Sequence, residues 1–221
     1  MLVILISRYK LGRSVSLISS DIGSQGAGHM AKPGKDTGAA AGKERLLETA
    51  RRLFLRHGAS NVGINDVTNA AGVAKMTLYN NFASKEALTV AVYEEMASLT
   101  LQALKRARSG SKTEEGRIEA IFDLFGAATG NSDYRGCPFI HASLQEAQPE
   151  GPLYSLVQAY KKELRAHILA ALEEERSVRS ELADQILMLL DGAVTEAYIK
   201  GVADPINVAK RAVAALMRCG A

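Results

Sequence analysis

The sequence predicts an all-α protein with a small helical head followed by a larger helical body. Three observations carry that prediction. Of the 221 residues 47% are hydrophobic but only 5% are aromatic, with no Trp and 5 Pro, and Ala and Leu dominate. No period-2 alternation of apolar and polar residues occurs after residue 45, whereas apolar residues recur at helical spacing. In residues 64–82, INDVTNAAGVAKMTLYNNF, two short apolar-periodic stretches meet at one glycine. That is the pattern of two helices joined by a tight turn.

Residues 20–42 are rich in Gly, Ser and Ala, so residues 1–42 are expected to form a disordered extension. Residues 1–7 are a short apolar run with no positive charge before it, whereas a secretory leader needs that charge and a longer apolar core. Translation is expected to start at Met30, or residues 1–29 to be a vector-derived or otherwise foreign extension.

A first helix is expected over about 43–57. Leu46, Leu47, Ala50, Leu53 and Phe54 form its apolar stripe, and Gly58 stands at its C-terminal cap. A second helix starts at Ile64, with Ile64, Val67 and Ala71 on one face, and Gly72 breaks it. A third starts near Ala74, with Leu78 inward and Lys75, Met76, Thr77, Tyr79 and Asn80 outward. Ser84 caps a long fourth helix, about 85–108, which links head to body.

In the body, helices are expected over about 114–129, 139–147, 153–176, 181–200 and 204–219, separated by Gly- and Pro-bearing breaks. Asp204-Pro205 is a clean start for the last of them, with Asp at the cap and Pro at the first helical position. The final two helices are apolar over more than one face, through Leu187, Leu190, Val194, Tyr198, Val213, Leu216 and Met217. Such a helix lies in deep core or in an oligomer interface.

Charge divides the chain in the same way. Residues 43–90 carry 7 basic and 4 acidic groups, residues 91–221 carry 15 and 18, and residues 1–42 carry 5 and 2. A basic helix-turn-helix on a mildly acidic body is the distribution of a DNA-reading head on a body that does not bind DNA. The second helix of the pair is the right size for the major groove. Lys75, Met76, Thr77, Tyr79 and Asn80 are then the candidates for DNA contact. Asn80 suits adenine, Thr77 a thymine methyl or a phosphate, and Tyr79 and Lys85 suit phosphate anchoring. Residues 1–29 read alternatively as a flexible basic arm touching the minor groove or phosphates.

Residues 50–88, ARRLFLRHGASNVGINDVTNAAGVAKMTLYNNFASKEAL, resemble the N-terminal domain of the tetracycline-repressor (TetR) family. The resemblance rests on Phe54 and Gly58 ending the first helix, and on Ile64 and Val67 with Thr68 in place of Ala. It continues through Ala71, Gly72, Val73, Leu78, Tyr79 and Phe82, and through Lys85 and Leu88 opening the fourth helix. Several spacings hold together, which a lone helix-turn-helix pattern does not offer. The chain departs at Gly63 (usually Thr), Ala74 (often Ser) and Asn81 (often Tyr), so the usual backbone contacts to DNA at those positions are altered.

The resemblance implies residues 43–90 as DNA-binding domain and residues 91–221 as ligand-binding and dimerisation domain. It implies a cytoplasmic homodimer that binds a palindromic double-stranded DNA operator and, by default, represses. The last two helices would pair with their twofold mates as a four-helix bundle, with Gly192, Ala193 and Ala197 permitting close approach. A small, largely apolar effector would sit in the body. Candidate lining residues are Ile121, Phe125, Phe139, His141, Leu144, Tyr154, Val157, Tyr160 and Tyr198. His141 and Tyr160 stand out because a polar tip in an apolar wall needs a partner.

Cys137, in Arg135-Gly136-Cys137-Pro138-Phe139, reads two ways. A helix N-terminus and a neighbouring Arg both lower a thiol's pKa and would make it a redox or electrophile sensor. A buried, inert thiol is the plainer reading. With Cys219 it makes only two cysteines, too few for a disulfide framework. No phosphate loop, Ser/His/Asp constellation or metal spacing is present, so no enzymatic activity, cofactor or metal is expected. No apolar run reaches the length of a membrane span. The competing class is a helical adaptor that binds protein without sequence-specific DNA recognition.

Overall fold

The computed structural model describes residues 35–129, 134–145, 150–175 and 177–219. Among them the regular elements are all helices: α1 Lys35–His57, α2 Ile64–Ala71, α3 Lys75–Asn81, α4 Lys85–Ser109, α5 Glu114–Thr129, α6 Pro138–Gln145, α7 Pro152–Leu169, α8 Arg179–Lys200 and α9 Asp204–Cys219. The expectations for residues 1–29 and Met30, and the expected helix end at residue 147, lie outside the described residues.

The head is α1, α2, α3 and the start of α4. The helix α1 packs against the other three. Leu46, Ala50, Phe54, Val62, Val67, Leu78, Phe82, Leu88 and Val92 fill the space between them and are all buried. Each of the larger of these side chains contributes roughly 1.5–3 kcal/mol by leaving water. The α2–α3 turn is set locally. Gly72 adopts φ 62° and ψ 38°, its amide donates to Asn69 O at 3.2 Å, and the Val73 amide donates to Thr68 O at 3.1 Å. That left-handed cap is what the glycine allows without a steric cost.

Two helix limits differ from expectation. The first helix begins at Lys35, not near residue 43, so it reaches into the segment expected to be disordered. The run Ala39-Ala40-Ala41 is made of the strongest helix former. Gly42 is buried against the third helix, where a Cβ would stand 3.2 Å from Thr77 Cγ2. The seventh helix ends at Leu169 and does not run on to 176. Beyond it Ala171 and Leu172 turn inward and are buried. Side chains elsewhere take the backbone groups that a continuing helix would use. Arg117 Nε donates to Ala171 O at 2.8 Å, Glu114 Oε1 accepts from the Glu173 amide at 3.0 Å, and Arg179 caps Leu169 O through Nη2 at 2.8 Å.

In the body α4 packs on α5 and α7, α7 on α6 and α8, and α8 on α9 and α5. Polar ties fix these crossings. Arg165 grips Asp184 in a fork of 2.5 and 2.8 Å, Lys161 pairs with Asp191, and Lys210 meets Asp123 at 2.8 Å. The α8 and α9 surfaces are not fully covered. Met188 is 65% exposed, Ile199 68% and Val208 49%.

One buried polar group is left over. Nδ1 of His167, on α7, has no hydrogen-bond partner among the described residues. Burial lowers the pKa of this imidazole, and Arg108 and Lys105 add to the effect against Glu163. A His pKa below its unfolded value of 6.5 means that the unfolded chain binds the proton more readily, so stability rises with pH across that interval. The melting temperature is expected to fall as pH drops below about 6.5, and His167→Gln should flatten that slope in melting curves taken across the range. An unchanged slope in the variant would remove His167 as the cause.

Candidate nucleic-acid interface and junction cavity

The third helix presents Lys75, Met76, Tyr79 and Asn80 to solvent, with Met76 69% and Tyr79 44% exposed, while Leu78 is fully buried beneath them. Thr77 is half-buried against Gly42. Asn81 turns back on its own helix, donating from Nδ2 to Thr77 O at 2.7 Å. Lys85 lies apart from this face. Its Nζ donates to Ser60 O at 3.2 Å and so ties the start of α4 to the α1–α2 loop. At the second helix start, Gly63 is the N-cap. Asp66 Oδ2 accepts from its amide at 2.8 Å, and glycine has no side chain to return the bond.

A cavity of about 270 Å³ opens at the junction of head and body. Phe54, Leu55, Arg56, His57 and Gly58 from the end of α1 form one wall. Tyr93, Met96 and Thr100 of α4 form the second. Tyr134 to Gly136, with Phe139, His141 and Gln145 of α6 and Tyr198 of α8, complete it. The aromatic rings are ordered by one another: Tyr160 stacks on Phe139 at 3.8 Å, Tyr93 meets the same ring edge-on at 5.7 Å, and His141 meets Tyr198 at 6.0 Å. Gly136, at φ 80°, brings the chain past His141, where a Cβ would stand 3.3 Å from Nε2. The far end of α6 touches the head, because Ser60 Oγ donates to Gln145 Oε1 at 3.0 Å.

Of the expected pocket residues, Phe139, His141 and Tyr198 line this cavity. Phe125 and Tyr160, again with Phe139, line a smaller void of about 30 Å³ beside Cys137. The structure does not bring the rest to it. Ile121 is fully buried in the core, Leu144 is 79% exposed, and Tyr154 and Val157 line neither hollow. Residue spacing missed the α1 and α4 walls. One signal was present in α4, where Tyr93, Met96 and Thr100 stand at i, i+3 and i+7, with a fully buried hydroxyl on an otherwise apolar stripe.

Cys137 precedes the first turn of α6, but its thiol is not activated. Burial pushes its pKa up, and Lys161 and the α6 amides oppose this only in part. Arg135 is exposed and donates from Nη1 to Tyr134 O. The expected depression is therefore reversed, because desolvation penalises the thiolate more than the nearby dipoles stabilise it. The same burial pushes Tyr93 up to about 12, and Tyr134 and Tyr160 are raised as well. All three phenols are neutral hydrogen-bonding groups near pH 7, and Tyr134 Oη donates to Val194 O at 3.0 Å.

Residues 46–92, which hold the paired helices, match the family model for bacterial regulatory proteins of the tetR family. The paired helices are those of the tetR family. A helix-turn-helix transcriptional regulator of Mycobacterium tuberculosis is 42% identical over 48 residues, covering 22% of this chain and 24% of that protein. The chain thus matches about a quarter of that relative's length. The helix-turn-helix transcriptional repressor DhaR of a Mycobacterium species is 28% identical over 175 residues, 75% of this chain and 86% of that one. The crystal structure of a TetR transcriptional regulator from Chloroflexus aurantiacus superposes with a TM-score of 0.72 at 24% identity, covering 82% and 96% of the two chains. The likeness there is one of fold. Together with the solvent-facing third helix, these matches give the chain a tetR-type helix-turn-helix head on a helical body of the same fold.

Proposed function

We propose that the protein is a small-molecule-responsive repressor that binds an approximately palindromic operator as a homodimer in the cytoplasm. The observation that carries the effector half is the shared wall of the junction cavity. The end of α1 belongs to the head, so anything occupying the cavity touches the DNA-reading unit directly. A ligand with different affinity for two head positions shifts their populations by that difference. The Ser60–Gln145 bond supplies a second link between α6 and the head. Dimerisation is supported by the uncovered stripe Met188, Gly192 and Ile199 on α8, with Val208 on α9. Repression is supported by likeness to DhaR, which is named as a repressor.

In this reading Lys75, Met76, Thr77, Tyr79 and Asn80 meet the major groove, and Lys85 anchors a phosphate by leaving Ser60. The test is selection of bound duplexes from a random pool by the purified protein, read by sequencing. Enrichment of a palindrome with half-sites one helical turn or more apart is the expected result. A pool without enrichment would sink the operator reading and favour the helical adaptor.

A further inference from the structure

We infer that the junction cavity takes a compact, uncharged carbonyl compound, held by a hydrogen bond from the Tyr93 hydroxyl to the carbonyl oxygen. This inference rests on the cavity being the effector site and names the class of effector. Tyr93 is 3% exposed and lines the cavity. Its ring meets Phe139 edge-on, but its hydroxyl makes no hydrogen bond among the described residues. A polar group so buried and left without a partner carries a cost that an acceptor in the cavity removes. The other polar groups around it are committed. Thr100 Oγ1 donates to Met96 O at 2.8 Å, Tyr134 Oη donates to Val194 O at 3.0 Å, and Gln145 Oε1 accepts from Ser60 Oγ at 3.0 Å. Tyr198 is 41% exposed, so water is within its reach. Burial also pushes the Tyr93 pKa up to about 12, so this phenol keeps its proton and is a donor near pH 7.

The rest of the wall says what the acceptor is attached to. Its buried part is Phe54, Tyr93, Met96, Thr100, Ala128 and Phe139, with no charged side chain among them. Arg56, His57 and Arg135 stand at the exposed rim, where water solvates them. A carboxylate beside Tyr93 would lose its hydration with no buried cation to replace it. A ligand hydroxyl would bring a proton of its own into the same apolar end and leave it unpaired. A carbonyl only accepts, so one bond from Tyr93 satisfies both partners. The volume of about 270 Å³ sits just under the usual range for drug-sized ligands. A ring with a short side chain fits, and a long acyl tail does not. Such a ligand is bonded to α4 and packs on Phe54 at the end of α1, so its occupancy bears on how the head sits on the body.

The test uses the full chain and three probes: acetophenone, its hydrocarbon isostere isopropenylbenzene, in which a methylene replaces the carbonyl oxygen, and benzoate. Isothermal titration is expected to show acetophenone binding weakened roughly three- to tenfold in Tyr93→Phe. Isopropenylbenzene should bind that variant as it binds the unaltered protein, which shows that the cavity is intact. Tyr160→Phe removes a neighbouring buried phenol that lines the smaller void and not this cavity, and should leave both affinities unchanged. Benzoate should bind more weakly than acetophenone. The infrared carbonyl stretch of bound acetophenone should lie below its frequency in hexane and return toward it in Tyr93→Phe. No binding of acetophenone, equal affinity with and without the Tyr93 hydroxyl, an equal loss for both neutral probes, or tighter binding of benzoate would overturn the inference. Gel shifts with the selected duplex separate this from the wider reading. Tyr93-dependent ketone binding that leaves duplex affinity unchanged upholds the carbonyl site and sinks the effector role. Absent ketone binding in protein that still binds its duplex sinks the carbonyl site alone.

Discussion

Leu78→Ala is expected to destabilise the head by about 2–5 kcal/mol and to abolish duplex binding. The third helix, Lys75–Asn81, has 7 residues, far fewer than the roughly 12–15 an isolated helix needs to persist in water. Its N-cap, Ala74, makes no side-chain cap bond. What orients it is Leu78, fully buried in the cluster that includes Leu46, Ala50 and Val67. Removing that side chain leaves a void and loosens the helix whose outward residues are proposed to meet base edges. Thermal melting and gel shifts on the same preparation check it. Met76→Ala is the matched control, because a 69% exposed side chain should change stability by no more than about 0.5 kcal/mol while still altering operator affinity. Native melting in Leu78→Ala would show that α3 is held by something other than this contact.

Met188→Glu/Ile199→Glu is expected to yield a folded monomer whose operator affinity falls by roughly 10²–10⁴. Residues 188, 192, 195 and 199 recur at i, i+4, i+7 and i+11, so they form one stripe of α8. Met188 and Ile199 are mostly exposed and Gly192 has open space where a Cβ would be, so carboxylates there cost the single chain little. Across the twofold axis of the proposed dimer each substitution occurs twice, and four carboxylates in a drying apolar interface repel. The affinity falls because two linked heads bind as one bivalent unit, and a lone head forfeits that gain. Sedimentation at micromolar protein reads the assembly, and titration of the selected duplex reads the affinity. A variant that stays dimeric would move the interface off this face.

The head was legible because its signals are local. Gly72 terminates α2 by its own backbone freedom, and the spacing of Ile64, Val67 and Leu78 marks the buried face wherever the segment packs. The limits of α5 and α9 agree with expectation for the same reason: Thr113 accepts from the Gly116 amide just before α5, and Asp204-Pro205 opens α9, although Asp204 is its first helical residue and not its cap. The end of α7 was not legible. It depends on Glu114, Arg117 and Arg179 capturing backbone groups of residues 169–173, and two of those three side chains come from α5, more than fifty positions earlier.

Cys137 makes the same distinction in chemistry. Its neighbours in the chain, Arg135 and the start of α6, point toward an activated thiol, but the groups packed around it in space bury it and raise its pKa. Residue order alone determines that this chain is helical, carries a helix-turn-helix head, and bears an apolar face on α8 and α9. Those properties follow from periodicity, capping and side-chain charge, which act over a few residues. Only tertiary packing decides that Arg56, Tyr93, Arg135, His141 and Tyr198 enclose one cavity. They come from four helices and a loop, and burial, like the local electrostatic field, is a property of what surrounds a group in three dimensions.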